Sequence, residues 1–168
     1  MSDLVIYFSR SGENYFGGKL ENIEKGNTEV IAEYIRDFAG ADVFKVEPEV
    51  DYPEDYMECI DVAKKEQQNN SRPEIKESLE DISGYDTIYI GFPNWWGTLP
   101  MPMFTQLEKL DFSGKTVKPF VTHEGSGFGS SNKDLKKLCA GADIKKGLSI
   151  PGGNVYDAVD MVKAWIDE

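Results

Sequence analysis

The sequence predicts an open α/β fold, in which a doubly wound sheet of five parallel strands carries helices on both faces. The apolar run at 4–8 is unbroken, which is typical of a strand that is buried on both faces. Four further apolar runs follow, and stretches with helical periodicity separate them. Strands that alternate with helices indicate parallel βαβ units, for which we expect the strand order 2-1-3-4-5.

The strands are predicted at the five apolar runs. The runs at 4–8 and 87–92 are continuous, as in buried central strands, whereas the run at 42–46 half alternates and is expected at the outside. In the run at 116–122, Pro119 cannot donate to a ladder, so we expect a strand end or an edge there. The run at 146–150 completes the sheet.

The helices are predicted where apolar residues recur with a period of 3.6. In the first helix we expect Asn27 or Thr28 as the N-cap and Gly40 as the stop. In the second, between residues 53 and 70, we expect Met57, Ile60 and Ala63 on one face. The helical stripes cover 30–38, 57–63, 103–110, 135–138 and 155–166.

Composition and charge restrict the class of protein. The 168 residues suffice for one domain, which we expect over 1–168. A net charge of −12 argues against nucleic acid and anionic membranes as partners, and favours partners with basic surfaces. No secretion signal or membrane span is visible, so we expect a cytoplasmic protein. Cys59 and Cys139 lie far apart and are expected to be free thiols.

Two segments interrupt the alternation of strands and helices. Residues 13–25 form an insertion between the first strand and its helix, and a Gly-Gly pair at 17–18 predicts a small hairpin within it. Residues 47–86 hold 13 acidic and 4 basic residues, so that most of the negative charge is local. Such a cluster is either a solvated face or a docking surface.

Small polar residues follow the first strand, at the edge of the sheet where ligands bind. The loop at 9–12 (SRSG) is joined by the start of the first helix at 26–28 (GNT). Hydroxyl and amide donors beside a helix N-terminus suit a phosphate, although an ordinary turn would use the same residue types. The P-loop lysine pattern is absent, which argues against a nucleoside triphosphate.

Two later loops contain residues that suit a flat aromatic ligand. Trp95 and Trp96 follow the third strand, and since loops lie at the surface we expect at least one indole to be exposed. The loop at 122–130 has glycines in a GxGxG spacing after a middle strand, which does not match a dinucleotide fingerprint. Its small residues could surround the edge of a ring. His123 is the only histidine, and the sequence offers no partners for a metal site.

These loops, taken in order, resemble the flavodoxin family. The resemblance rests on YFSRSG at 7–12, GNT at 26–28, GFPNWWG at 91–97 and THEGSG at 122–127, and it covers essentially the whole chain. The chain is most similar to bacterial flavodoxin-like proteins with an insertion between strand 1 and helix 1. The resemblance implies a flavodoxin-like five-stranded fold and one non-covalent FMN, with phosphate contacts from the first loop and ring contacts from the other two.

The insertion departs from the simplest family pattern, in which the phosphate loop runs unbroken into its helix. Which residues meet the phosphate therefore stays open. Trp96, with or without Trp95, is expected to stack on the ring, and backbone donors at 124–126 to meet its pyrimidine side. The residues expected to contact FMN are Ser9, Arg10, Ser11, Asn14, Tyr15, Asn27, Thr28, Pro93, Asn94, Trp95, Trp96, Gly97, Thr122, His123, Glu124, Gly125, Ser126 and Gly129.

The function expected from this resemblance is that of a low-potential, one-electron carrier between protein partners. The main alternative is an NAD(P)H-dependent quinone reductase or nitroreductase on the same fold, in which His123 would stabilise negative charge on the flavin or protonate the substrate. Two bulky tryptophans would hinder a nicotinamide beside the ring. A binding module without flavin is a further alternative, against which the polar loops and both indoles argue.

Overall fold

The computed structural model describes residues 2–168. The strands are β1 (Ser2–Tyr7), β2 (Gly12–Phe16), β3 (Lys19–Ile23), β4 (Asp42–Lys45), β5 (Tyr85–Pro93), β6 (Thr116–His123), β7 (Asp143–Ile144) and β8 (Leu148–Pro151). The helices are α1 (Asn27–Ala39), α2 (Tyr56–Gln68), α3 (Met101–Leu107), α4 (Ser131–Leu138), a 3-10 helix (Gly152–Asp157) and α5 (Val159–Ile166).

The main sheet has the predicted order. Strands β4, β1, β5 and β6 lie side by side, and β7 and β8 both pair with the far edge of β6. All of these pairings are parallel, so the expected order 2-1-3-4-5 is confirmed, with β7 and β8 together in the fifth position. β2 and β3 form a separate antiparallel hairpin.

Strand β1 lies at the centre because its side chains are apolar on both faces. Leu4 and Ile6 belong to the core layer that is covered by α3 and α4. Val5 and Tyr7 belong to the opposite layer, which α1 and α5 cover. Helices on both faces are what a parallel sheet requires, because neither of its faces can meet water.

The fifth strand is divided, and Pro119 explains where. The expectation that Pro119 marks a strand end or an edge is wrong, because it lies buried within β6 and pairs with Ile90 of β5. Its carbonyl oxygen faces Gly147, where an added Cβ would lie 2.8 Å away. In a β-strand the N–H and the C=O of one residue point to the same side, so the position of the missing proline N–H also faces the gap between β7 and β8. No hydrogen bond to β5 is therefore lost.

The first helix begins one or two residues earlier than expected. Its N-cap is Gly26, which makes no side-chain bond, in place of Asn27 or Thr28. Instead, Ser9, two residues after β1, supplies the cap, since its Oγ accepts the Glu29 N–H at 3.0 Å. The helix ends at Gly40, as predicted, in a left-handed C-cap conformation.

Two other helices differ from the predicted pattern. In α2 the buried residues are Cys59 and Ala63, Ile60 is half-buried and Met57 is 57% exposed, so only part of the predicted apolar face lies in the core. The C-terminal stripe is divided at Ala158 into a 3-10 helix and α5. Val155 and Ala158 are both buried, and a 3-10 turn places residues three apart on the same side.

The predicted hairpin is confirmed. Gly17 and Gly18 have φ values of 64° and 87°, the two positive values of a type I′ turn. Its tip packs so closely on the 3-10 helix that a Cβ on Gly153 would lie 2.7 Å from Gly17 Cα. The Gly18 N–H donates to Glu124 Oε2 at 3.2 Å, and the Tyr15 ring meets Tyr56 edge-on at 5.0 Å. The hairpin therefore bridges the start of α2 and the loop after β6.

Both cysteines are buried and form no disulfide, as predicted. Among residues 2–168, no helix is long and apolar enough to cross a membrane. The same residues contain no cluster of three His, Cys, Asp or Glu side chains that could hold a metal ion.

Candidate functional site

Three loops meet at the carboxyl edge of the sheet, where β1, β5 and β6 end. We call them the first loop (9–11), the second loop (94–98) and the third loop (124–130). The chain leaves β1 towards β4 on one side and returns on the other side at β5, so this edge is the topological switch point. Two backbone hydrogen bonds connect these segments. The Asn94 N–H of the second loop donates to Thr122 O of β6 at 2.9 Å, and the Ser130 N–H of the third loop donates to Gly97 O of the second loop at 2.6 Å.

The first loop delivers polar groups to the start of α1. Ser9 caps the Glu29 N–H, while the N–H groups of Asn27 and Thr28, in the first helical turn, have no intrahelical acceptor. Thr28 Oγ1 lies 2.8 Å from Thr122 Oγ1, and both threonines are buried. This hydrogen bond ties the start of α1 to the end of β6. The result is a helix N-terminus lined with hydroxyls, which suits an anion.

The second loop is a tight turn that Asn94 holds closed. The Asn94 Oδ1 accepts the Gly97 N–H at 2.9 Å, and its Nδ2 donates to Gly127 O at 2.7 Å. Trp96 and Gly97 have φ values of 53° and 89°, which define a type I′ turn. A positive φ is unusual for a residue as bulky as tryptophan, and such outliers concentrate at functional sites.

The two tryptophans of the second loop occupy different surroundings. Trp95 is half-buried, and its ring meets Phe8 and Tyr52 edge-on at 5.0 and 4.9 Å. Trp96 is 45% exposed and lies against α2, where its Nε1 donates to Ile60 O at 2.8 Å. The Lys64 ammonium lies 4.9 Å from the centre of the Trp96 ring. One indole is therefore fixed by the core and the other by α2.

The third loop is held at both of its ends. Gly129 is so close to the second loop that an added Cβ would lie 2.5 Å from Gly97 O. At the other end, the imidazole of His123 accepts the Gly125 N–H through Nδ1 and contacts Ser149 Oγ through Nε2, each at 2.8 Å. Burial lowers the pKa of His123, and Glu124 partly opposes the shift. Glu124, Gly125 and Ser126 are exposed between these anchors.

Arg10 connects the first loop to the segment before α2. Its guanidinium donates to the carbonyl oxygens of Pro53 and Glu54 at 2.9 and 2.7 Å and to Asn14 Oδ1 at 3.1 Å. Asn14 in turn donates to Arg10 O at 2.7 Å. These bonds fix the base of the hairpin beside the site.

Several site residues come from a segment for which the sequence analysis predicted a helix and an acidic cluster but no contact with the ligand. Tyr56, Cys59 and Ile60 of α2 line the site together with both tryptophans, and Gln67 donates to Trp96 O at 3.0 Å. The signal was present, since aromatic and apolar residues alternate with the acidic ones at 52–60. The charge pattern concealed it.

The loops enclose two adjoining cavities. The larger, of about 200 Å³, lies between α2 and the second loop, and the smaller, of about 40 Å³, lies at the start of α1. Arg10, Asn14 and Trp95 line both cavities. Pro93 and Thr122, from the ends of β5 and β6, also line the smaller.

A wider cleft of about 760 Å³ opens on the other side of β1, towards β4. Ser11 lines this cleft and is exposed. Ser9 and Arg10 line it as well, whereas the lining of the smaller cavity includes Asn27 and Thr28 but not Ser11, although the sequence analysis grouped these residues.

Comparison with known proteins identifies the family. A family model described as flavodoxin matches residues 3–168. The chain belongs to the flavodoxin family. A putative flavoprotein from Bacteroides uniformis ATCC 8492 is 29% identical, with 99% of this chain and 98% of that one covered and a TM-score of 0.76. One from Bacteroides eggerthii DSM 20697 is 28% identical, with coverages of 96% and 97% and a TM-score of 0.71.

A more distant solved structure shares the fold. A flavoprotein from Lactobacillus acidophilus NCFM, solved in complex with FMN, is 23% identical, with coverages of 95% and 98% and a TM-score of 0.64. The flavodoxin fold implied by the sequence is thus confirmed over essentially its whole length. A comparison with curated proteins found no match.

The residues at the switch point of this flavodoxin-family chain fit a flavin nucleotide chemically. The first turn of α1 offers N–H groups beside Ser9 and Thr28 for a phosphate, and the second loop offers an indole for a ring. Cavities for ligands of this size usually measure about 300–1,000 Å³, which exceeds the larger cavity here. The two cavities adjoin at Arg10, Asn14 and Trp95, so a nucleotide that occupies both would lie against these side chains.

Proposed function

We propose that this flavodoxin-family protein binds one FMN non-covalently at the switch point and carries electrons singly between protein partners in the cytoplasm. The observation that carries the proposal is that a hydroxyl-lined helix N-terminus adjoins a loop with two tryptophans. When bound, FMN supplies the redox chemistry, and the chain determines its affinity, access and potential.

The phosphate is assigned to the start of α1. The N–H groups of Asn27 and Thr28, which the helix leaves without acceptors, would bind it together with the Thr28 hydroxyl. Ser9 lies beside this site, and because its hydroxyl accepts the Glu29 N–H, its own O–H remains available to donate to the phosphate. We place Ser11 outside this contact, since it does not line the cavity at the start of α1.

The ring is assigned to the larger cavity. Trp95 lines both cavities and is held by two edge-on aromatic contacts, so it offers a rigid surface for stacking. We therefore assign the main stacking contact to Trp95, in preference to Trp96, which α2 holds by its Nε1. The Asn94 amide would act by holding the turn, because both of its ends are bonded within the protein.

The charge of the protein supports a low-potential carrier. Reduction adds negative charge to the flavin, and the protein already carries −12. One unit charge at ~10 Å and an effective dielectric of ~20 contributes about 1.7 kcal/mol, or roughly 70 mV for one electron. Several carboxylates on 47–86 would therefore lower the potential, and the same segment would attract a partner with a basic surface.

Two features support the carrier over an NAD(P)H-dependent reductase. Both ring nitrogens of His123 are bonded within the protein, which argues against its use as a proton donor to flavin or substrate. The larger cavity is bounded by Trp95, Trp96 and the helix α2, which restricts access for a nicotinamide.

A reductive titration tests this proposal. The purified protein is loaded with FMN, reduced stepwise, and then assayed with NAD(P)H in the presence and absence of a quinone. We expect two well-separated one-electron potentials, the lower of which rises with added salt, and no turnover of NAD(P)H. Rapid NAD(P)H oxidation with potentials that do not respond to salt would support the reductase instead.

A further inference from the structure

His123 is bonded as a neutral imidazole with a defined tautomer. The Gly125 N–H donates to Nδ1 at 2.8 Å, so that nitrogen carries no proton. The proton of the neutral ring must then lie on Nε2, which donates to Ser149 Oγ at 2.8 Å. The side chain thus connects three positions, namely the end of β6, the start of the third loop and β8.

We propose that His123 is a positioning residue, which holds the third loop in the shape that the flavin ring requires and releases it when the imidazole is protonated. This inference rests on the proposed function, because it takes up the expectation that backbone donors at 124–126 meet the pyrimidine side of the bound FMN. It assigns His123 no contact with the flavin.

The release follows from the hydrogen-bond geometry. A protonated imidazole donates from both nitrogens, so its Nδ1–H would face the Gly125 N–H at the distance of the present bond. Two donors repel, and the start of the third loop must then move away. The contact to Ser149 survives, because a hydroxyl can accept from the Nε2–H in either state.

The surroundings of the imidazole favour its neutral form. The acidic group that faces it is Glu124 of its own loop, which favours protonation, and burial outweighs this effect and lowers the pKa of His123. The neighbouring strand β8 contributes the neutral residues Ser149 and Pro151. The hairpin contributes the Gly18 N–H, which binds Glu124.

The sign of the pH effect follows from the direction of this shift. The folded protein holds the pKa below the ordinary value of 6.5. Between the folded and unfolded pKa values the unfolded chain therefore binds more protons, so stability falls as the pH drops through that window.

Two variants separate positioning from general structure. His123→Asn keeps an acceptor near the position of Nδ1 but does not titrate, whereas His123→Gln places its amide near Nε2 and loses the acceptor for Gly125. The first readout uses the protein without added FMN. Because the chain has a single histidine, its imidazole gives one NMR titration curve, which is compared with the shift of the Gly125 amide.

We expect the imidazole to titrate below pH 6.5 and the Gly125 amide to shift with the same midpoint. An imidazole that titrates at or above pH 6.5, or a Gly125 amide that does not follow it, would overturn the proposal. This readout needs no flavin, so its outcome is independent of the proposed function.

The second readout is the ratio of FMN dissociation constants at pH 5 and pH 7.5. The FMN phosphate itself titrates near pH ~6, so the variants are needed to separate the two effects. We expect the wild-type ratio to exceed that of His123→Asn by about 3- to 10-fold, the equivalent of one hydrogen bond. His123→Gln should show weakened binding at pH 7.5 already.

Equal ratios in wild type and His123→Asn would show that the imidazole does not position the loop. Failure of all three proteins to bind FMN would refute the proposed function while leaving the NMR result intact.

Discussion

Gly129→Ala should weaken both the fold and FMN binding, because a methyl group at this position meets the backbone of the second loop. The added Cβ would lie 2.5 Å from Gly97 O, and φ at this residue is 56°. A left-handed conformation costs a non-glycine residue about 1–2 kcal/mol. Separating the loops also breaks the bond from Ser130 N–H to Gly97 O, which contributes about 1 kcal/mol. We therefore expect the free energy of unfolding to fall by roughly 2–3 kcal/mol.

Gly40→Ala is the matched control for the backbone effect. Its φ is 67°, it lies at the end of α1, and an added Cβ would meet nothing within 4 Å. We expect this control to lose only about 1–2 kcal/mol of stability and to bind FMN as the wild type does. Gly129→Ala should bind FMN about 2- to 10-fold more weakly, as expected for the loss of one hydrogen bond from a displaced loop.

The assay combines urea unfolding, followed by tryptophan fluorescence, with FMN titration of all three proteins. If Gly129→Ala matches Gly40→Ala in both stability and FMN affinity, the close contact between Gly129 and Gly97 does not hold the second and third loops in the shape that binds FMN.

Two further predictions concern the rest of the fold. Lys118→Met removes an ammonium that donates to the carbonyl oxygens of Ile166 and Glu168 at 3.0 Å each, and should lower the free energy of unfolding by about 1.5–3 kcal/mol. Hydrogen exchange in α5 should increase, and unchanged exchange there would contradict this role. Replacing 15–25 by a short glycine linker should leave the sheet folded and increase the rate of FMN release, because the hairpin bridges α2 and the third loop. If the shortened protein unfolds, the hairpin is part of the core and not a cover over the site.

Much of the fold could be predicted because periodicity reports burial directly. The continuous runs at 4–8 and 87–92 became central strands, and the Gly-Gly pair became the hairpin turn. Pro119 was misinterpreted because the rule for proline concerns a missing ladder bond, and the sequence does not show on which side that bond would lie. The exposure of Met57 could not be predicted, because spacing alone does not show which side of α2 faces the core.

The site could be predicted at the level of its loops, but less well at the level of side chains. Loop positions follow from strand order, whereas side-chain partners depend on contacts between distant segments. The sequence could not show that Ser9 caps α1, that Asn94 is bonded within the protein, or that Ser11 faces the cleft towards β4. The contribution of Tyr56 was concealed by the acidic residues around it.

The most direct test of the central claim is a map of backbone amide shifts during titration with FMN. The claim is that FMN binds between β1, β5 and β6, at the two smaller cavities, and not in the wider cleft between β1 and β4. We predict that the largest shifts occur at 27–28, 95–97 and 124–126. Shifts concentrated at 47–55, on the wall of the wider cleft, would contradict the proposed site.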